Sequence, residues 1–396
     1  ILGCSAAFTI VLTLPGIAAV VLTVGMAVDA NVLIFERIRE ELKKDKTLKA
    51  SIKSGFANAF SSVMDANITP FLTGVVLYAF GVGPIRGFAV SLMIGIVTSL
   101  ISALIITRLI LDYYANKGGN SINFGTSWTT GLFDKVKINM VARRRVFYIV
   151  SLAAVAIGLF GLFIIKPKTG VDFKGGRQYK VEFKDDNAQS RLLSSSDIEG
   201  IRAELGDVFS PDVPIIKTVS RDNQLMITTA YLINDREATD SVQNMMLRGL
   251  DRSVSDANVE VLSVSDVGPT VANDIQQAAV YSVVFSLLII FLYILIRFRR
   301  WQYSLGAVVA VFHDVIIVLG IFSLLSEIDL GFSLEVDQAF IAALLTIIGY
   351  SINDTVVVFD RIRENLGEMK ASKLSDIYNV SIDQTLSRTL ITSFTT

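Results

Sequence analysis

Asp29 and Asp354 are carboxyl groups set inside apolar runs, and Arg388 is a guanidinium set in another. No charged residue precedes Asp29, and Asp354 follows the stretch AFIAALLTIIGYSIN over 339–353. A charged side chain in a membrane-crossing helix costs about 2.5–3.5 kcal/mol on insertion scales, and residues that bear this cost usually mark ion pathways. Apolar burial favours the neutral form of an acid, whereas a neighbouring guanidinium favours the carboxylate. A carboxyl that alternates between these settings can take up a proton on one side of a membrane and release it on the other. Arginine suits the partner role because it stays protonated at any relevant pH. This chemistry needs no metal and no organic cofactor, and no catalytic constellation is expected. The competing reading of the same three residues is a static ion pair that fixes helix packing.

Further polar groups share the apolar runs. Asp65, Asn67 and Thr69 could line the same hydrated path or hydrogen-bond neighbouring helices. His313 and Asp314 sit near the middle of their run. Histidine is a natural proton shuttle, although a lone His–Asp neighbour pair is more often structural. One cysteine, Cys4, excludes an internal disulfide framework, and one histidine argues against a His-rich metal cluster. A net charge of −1 gives no reason to expect a nucleic-acid partner.

The elements that position these groups are membrane spans. Hydrophobic residues make up 52% of the chain, mean hydropathy is +0.55, and 18% of residues are charged, against about 25% in soluble domains. A hydrocarbon core of ~30 Å needs about 20 apolar residues per helix. Apolar runs predict full spans near 17–35, 54–80, 86–111, 146–165, 272–296, 303–325 and 338–359. A partial span covers 1–14 and another begins near 380. Because the chain opens and stops inside apolar runs, it is read as part of a longer polypeptide.

Orientation follows from Lys and Arg placement. The segments FERIREELKKDK (35–46), Lys135 to Arg145, RFRRW (297–301) and DRIREN (360–365) fall on one side if the spans alternate. That side is expected to be cytoplasmic. The RIRE segments at 37–40 and 361–364 read as helix ends with snorkelling arginines, or as a docking face for a partner. Between Lys166 and Gly268 the composition turns polar. Strand patterns at 178–184, 214–220, 224–230 and 258–264, with helical patterns at 195–206 and 236–250, give the order β-α-β-β-α-β of a ferredoxin-like module. It is expected outside the cytoplasm. The predicted fold class is an α-helical polytopic membrane protein with two repeated helical bundles and one small α+β ferredoxin-like extracytoplasmic domain. The predicted divisions are 1–111, a connector at 112–145, a single helix at 146–166, the α+β domain at 167–268, and a helical segment at 269–396.

GMAVDANVLIFERIREEL (25–42) aligns without gaps to GYSINDTVVVFDRIRENL (349–366), and AFSSVMDANIT (59–69) aligns with TLSRTLITSFT (385–395). Repeats of this kind place functional groups at the repeat interface near the membrane midplane. The copies differ where the polar residues lie. Asp29 aligns with Asn353, Ala30 with Asp354, Ser62 with Arg388 and Asp65 with Ile391. Each copy keeps one acid, shifted by one position or about 100° around a helix. One asymmetric site built from both copies is expected.

At these residues the sequence resembles the SecD and SecF export proteins in their fused form. GMAVDANVLIFERI (25–38) looks like the SecD membrane signature, while VGPTVANDI (267–275), HDV (313–315), GYSINDTVVVFDRIREN (349–365) and LSRTLITS (386–393) look like SecF. The resemblance implies a membrane fold similar to the resistance-nodulation-division transporters. It implies association with the SecYEG channel and membrane proteins of the YajC and YidC types. It also implies a role in preprotein translocation across the bacterial inner membrane, driven by the proton-motive force. It carries the essential membrane acids onto Asp29 and Asp354 and the essential arginine onto Arg388. Competing functions are a proton-driven efflux pump for small molecules or lipids and a scaffold without ion flux.

Overall fold

A computed structural model of the chain describes residues 3, 13–117, 122, 124, 139–185, 189–219, 221–235, 237–328 and 334–395. Most of the expected partial span at 1–14 and most of the expected connector at 112–145 lie outside the described residues.

Among the described residues, seven helices are long and apolar enough to cross a membrane: Pro15–Leu42, Leu48–Phe80, Pro84–Asn116, Arg144–Ile165, Pro269–Phe298, Trp301–Leu325 and Gln338–Glu368. All seven coincide with the full spans expected from hydropathy. The first helix, α1 (Leu14–Leu42), starts where the Thr13 hydroxyl accepts from Gly16 N at 3.1 Å, with a proline in the first turn. α2 (Leu48–Phe80) starts in the same way at Thr47 and continues through Pro70. α3 (Pro84–Ile101) passes through a π-helical turn at Ser102–Ile106 into α4 (Thr107–Asn116). After α5 (Arg144–Phe160) and a short turn α6 (Val171–Lys174) comes the α+β domain.

By internal contacts the chain forms two compact units. One comprises Ile1–Val155, Tyr281–Val315 and Ala342–Thr396, and the other Ala156–Val280 and Ile316–Ile341. The core of the first contains Ala30, Leu33, Ile34 and Ile38 of α1 against Ile52, Phe56, Ala59 and Val63 of α2. These positions recur every three or four residues, so each helix presents one apolar stripe. Gly55 allows the approach, since a Cβ there would lie 2.4 Å from Ile38 Cγ1.

The second unit contains the sheet β1 (Gly176–Lys184), β2 (Ile215–Val219), β3 (Arg221–Thr229) and β4 (Asn258–Val267), with helices α7 (Ser195–Val208) and α8 (Thr239–Ser253). Strand order is β2-β3-β1-β4 and every pairing is antiparallel. This is the ferredoxin-like arrangement predicted from the element order. Alternation along β1 puts Tyr179, Val181 and Phe183 into a core with Ile201, Leu205, Val242 and Met246. A bulge between Lys180 and Val181 shifts the register with β4. α8 starts three residues later than the sequence pattern suggests, after turns at 231–234 and 237–238.

The remaining long helices are α9 (Pro269–Phe298), α10 (Trp301–Leu325), α11 (Gln338–Glu368) and α12 (Leu374–Thr395). α1 and α11 run about two turns past their expected ends, because the RIRE segments continue the helices. α12 occupies the position of the expected final partial span.

Candidate functional site at the repeat interface

α1, α11 and α12 bring Asp29, Asn353 and Arg388 together. Asn353 Nδ2 donates to Asp29 Oδ2 at 2.9 Å, and Arg388 Nη2 lies 3.5 Å from Asp29 Oδ1. Asp29 and Arg388 are each 5% exposed. The positions that the repeat aligns, 29 and 353, therefore touch across the repeat interface. The ion pair is loose: charge-assisted N–H···O bonds are usually about 2.7–2.9 Å, and Arg388 Nε is buried without a hydrogen-bond partner. Asp354 follows Asn353 on α11 and is half-buried.

Two small cavities touch this triad. Met26, Asp29, Asn67, Pro70, Gly349 and Asn353 line one of about 10 Å³. Glu36, Ser62, Asp360, Arg361, Gln384 and Arg388 line another of about 30 Å³. A single water needs roughly 10–15 Å³ and several polar partners, so the second is large enough for one. Asn67 donates from Nδ2 to Val63 O at 2.8 Å, leaving its Oδ1 buried and without a partner. The Oδ1 of Asn353 is in the same condition.

The other sequence-selected groups fall elsewhere. Asp65 accepts from Tyr293 OH at 2.8 Å and from Arg297 Nε at 2.7 Å, with Arg297 Nη2 at 2.6 Å. Arg297 also donates to Ser61 Oγ at 2.7 Å. This arginine was legible only as part of a basic turn, yet it belongs to the last turn of α9 and folds onto an acid of α2. His313 Nδ1 lies 2.8 Å from Asp314 Oδ1, and its Nε2 lies 2.8 Å from Ser151 Oγ. Ser351 Oγ donates to Asp314 Oδ2 at 2.5 Å, which ties the pair to α11 one turn before Asp354.

Two of the four RIRE arginines, Arg37 and Arg361, do not snorkel. Arg37 Nη2 reaches Glu364 at 3.1 Å and Arg361 Nη2 reaches Glu40 at 2.6 Å, with arginine side chains 16% and 13% exposed. Reciprocal acids on the facing copy satisfy them, so their stems have no reason to extend toward solvent.

The protein export membrane protein SecD/SecF C-terminal family matches residues 1–117 and 249–396. The Brucella abortus protein translocase subunit SecDF is 36% identical over 394 residues, covering 97% of this chain and 48% of its own length. The Rhodothermus marinus protein translocase subunit SecF is 40% identical over 268 residues, covering 67% of this chain and 80% of its own. A crystal structure of SecDF from Thermus, described as a translocon-associated membrane protein, superposes with a TM-score of 0.83 at 35% identity. That match covers 100% of this chain and 50% of that one. The chain thus spans about half the length of the fused relatives. With the family model matching more than half of its residues, the chain belongs to the SecD/SecF family of protein export membrane proteins.

Proposed function

We propose that this chain supplies the proton-driven membrane engine of an accessory subunit of the Sec protein translocase. It assists preprotein movement across the bacterial cytoplasmic membrane. The observation that carries this reading is the buried Asp29–Arg388 pair, formed between the two repeats and held loosely at 3.5 Å. A carboxylate at Asp29 holds the guanidinium and accepts from Asn353. A proton on Asp29 removes the counter-charge that holds Arg388 there, and the contact between α1 and α12 loses its electrostatic component. Loading and unloading of one proton thereby changes how the repeats are held together. Asp354, half-buried beside Asn353, is the second acid of the path.

The names of the relatives support the translocase part of the reading. Its partners are the SecYEG translocon, membrane proteins of the YajC and YidC types, and the translocating preprotein. The basic loops face the cytoplasm and the ferredoxin-like domain faces the periplasm. Asp65, Asn67, His313 and Asp314 remain auxiliary candidates: Asn67 lines the cavity beside Asp29, whereas Asp65 is committed to Arg297.

The test uses the full-length protein carrying Asp29→Asn, Asp354→Asn or Arg388→Met. Export of a secreted precursor and proton flux are measured in vesicles energised after the ATP-driven step. Each substitution is expected to abolish the gradient-dependent phase of both. Wild-type export in all three variants overturns the reading. Intact export with lost resistance to small toxic molecules indicates an efflux pump, and dependence on a sodium gradient indicates the other ion.

A further inference from the structure

Glu36 is a carboxyl in a membrane-crossing helix to which the reading above assigns nothing. It lies seven residues beyond Asp29 on α1, which is about 10.5 Å of rise and roughly 20° short of two full turns, so both acids share one helix face. It lines the 30 Å³ cavity together with Arg388. Among the described residues it makes no hydrogen bond and no ion pair. The charges around it are Arg388, Glu40, Arg361 and Arg39, and Arg37 and Asp360 line the same cavity.

The repeat shows what this position is for. Glu36 aligns with Asp360, and Arg388 aligns with Ser62. In the structure Ser62 Oγ donates to Asp360 Oδ2 at 3.1 Å. The equivalent junction of the other copy joins position 388 to Glu36. There the donor is a guanidinium, and it is turned instead toward Asp29, with its Nε buried and unpartnered. One junction of the pair is closed and its counterpart is open.

We propose that Glu36 is the second seat of Arg388. When Asp29 takes a proton, the guanidinium leaves it and pairs with the Glu36 carboxylate across the shared cavity. The proton stays on Asp29, and Arg388 keeps all of its own. A buried guanidinium is thus never without a carboxylate, whose loss would be strongly destabilising. The positive charge moves along α1 toward the RIRE segment. This deepens the proton-driven reading and rests on it for its purpose, but its test does not depend on transport.

The experiment is a thermal-unfolding cycle on the full-length protein in detergent. Asp29→Asn mimics the protonated acid and leaves Glu36 as the seat, while Glu36→Gln leaves Asp29. Each single substitution is expected to lower Tm slightly. The D29N/E36Q double variant strands the guanidinium, and its Tm is expected to fall by several degrees more than the sum, as groups sharing one partner do. D29N/E36D, which keeps a carboxylate, is expected to recover most of that loss. If D29N/E36Q does not accumulate folded while D29N/E36D does, the conclusion is the same. Additive losses, or equal instability of the two double variants, overturn it. A non-additive cycle combined with normal gradient-driven export in Asp29→Asn keeps the seat and removes the motor.

Discussion

Arg37 reaches across the repeat interface to Glu364 at 3.1 Å, and Arg361, its counterpart in the other copy, reaches back to Glu40 at 2.6 Å. Each arginine also pairs with the glutamate three residues on in its own helix, at 2.8 Å for Glu40 and 3.1 Å for Glu364. The four charges close a ring with the approximate two-fold symmetry of the repeat. The ring sits at the same end of α1 and α11, where the two helices carry their aligned RIRE segments.

Such a ring is half-buried, so its contribution lies between that of an exposed pair, about 0–1 kcal/mol, and that of a broken buried pair, about 3–5 kcal/mol. Arg37→Gln is expected to cost about 1–2 kcal/mol. Glu364→Gln in the same chain should then cost little more, because its cross-repeat partner is already gone. A double-mutant cycle read by thermal unfolding at low and high salt measures both the coupling and its screening.

Asp65 and Arg297 carry a larger expectation. Their side chains are 8% and 21% exposed, and the acid accepts a charge-assisted bond from Arg297 Nε and another from the Tyr293 hydroxyl, with Arg297 Nη2 at 2.6 Å. Removing Arg297 as Arg297→Leu leaves a buried carboxylate and is expected to cost about 3 kcal/mol. The Asp65→Leu/Arg297→Leu pair should recover most of that loss. Tyr293→Phe removes one bond to a charged acceptor and is expected to cost about 1.5–3 kcal/mol. Chemical denaturation of the purified variants ranks the three, and a larger loss for Tyr293→Phe than for Arg297→Leu would reverse this assignment.

The contrast between Asp29 and Asp65 shows where the sequence is informative. Hydropathy located all seven spans because each is a run of apolar side chains longer than the hydrocarbon core. Period-two alternation through Tyr179, Val181 and Phe183 exposed the strands, and their order specified the sheet. Asp29 and Arg388 were legible because the repeat placed both at positions where the copies differ. Arg297 was not, since a basic cluster at a helix end carries a topology signal that masks a specific partner. Glu36 was hidden in the same way inside FERIRE, where charges three and four residues apart look like one solvated helix face. Distance between helices, which no local pattern encodes, decides both cases.

The α+β domain offers a test that is independent of the membrane. Ser194 and Asp197 form a reciprocal cap on α7: Ser194 N donates to Asp197 Oδ2 at 2.9 Å, and Asp197 N donates to Ser194 Oγ at 3.2 Å. Hydrogen bonds from the Ser194 backbone N–H and hydroxyl hold the Asp197 carboxyl below its usual range. A depressed acid contributes stability above its unfolded value, near 3.9 for aspartate, and loses it as pH falls through the folded value. Local protection of the first turn of α7 should therefore decline on acidification below about pH 4, and Asp197→Asn should flatten that decline. Ser194→Ala is expected to cost about 1 kcal/mol at neutral pH. Hydrogen exchange of the α7 amides, corrected for intrinsic rates, reports both effects.

Gly158 and Gly320 set a steric limit within the second compact unit. A Cβ on Gly320 would lie 2.2 Å from the Gly158 Cα, and one on Gly161 would lie 2.3 Å from the Gly320 carbonyl oxygen. The atoms in the way are backbone, so no side-chain rotamer can relieve the clash. α5, its π-helical continuation at Gly161–Ile165 and α10 therefore touch through their main chains, as small residues allow between membrane helices. Gly320→Ala is expected to push the helices apart and to cost more than the 1–3 kcal/mol typical of overpacking against movable side chains. Gly306→Ala on the same helix is the control, because a Cβ there meets only the Phe359 ring at an ordinary 3.5 Å. Thermal unfolding of the two variants should separate by several degrees, and equal midpoints would show that the helices do not cross at Gly320.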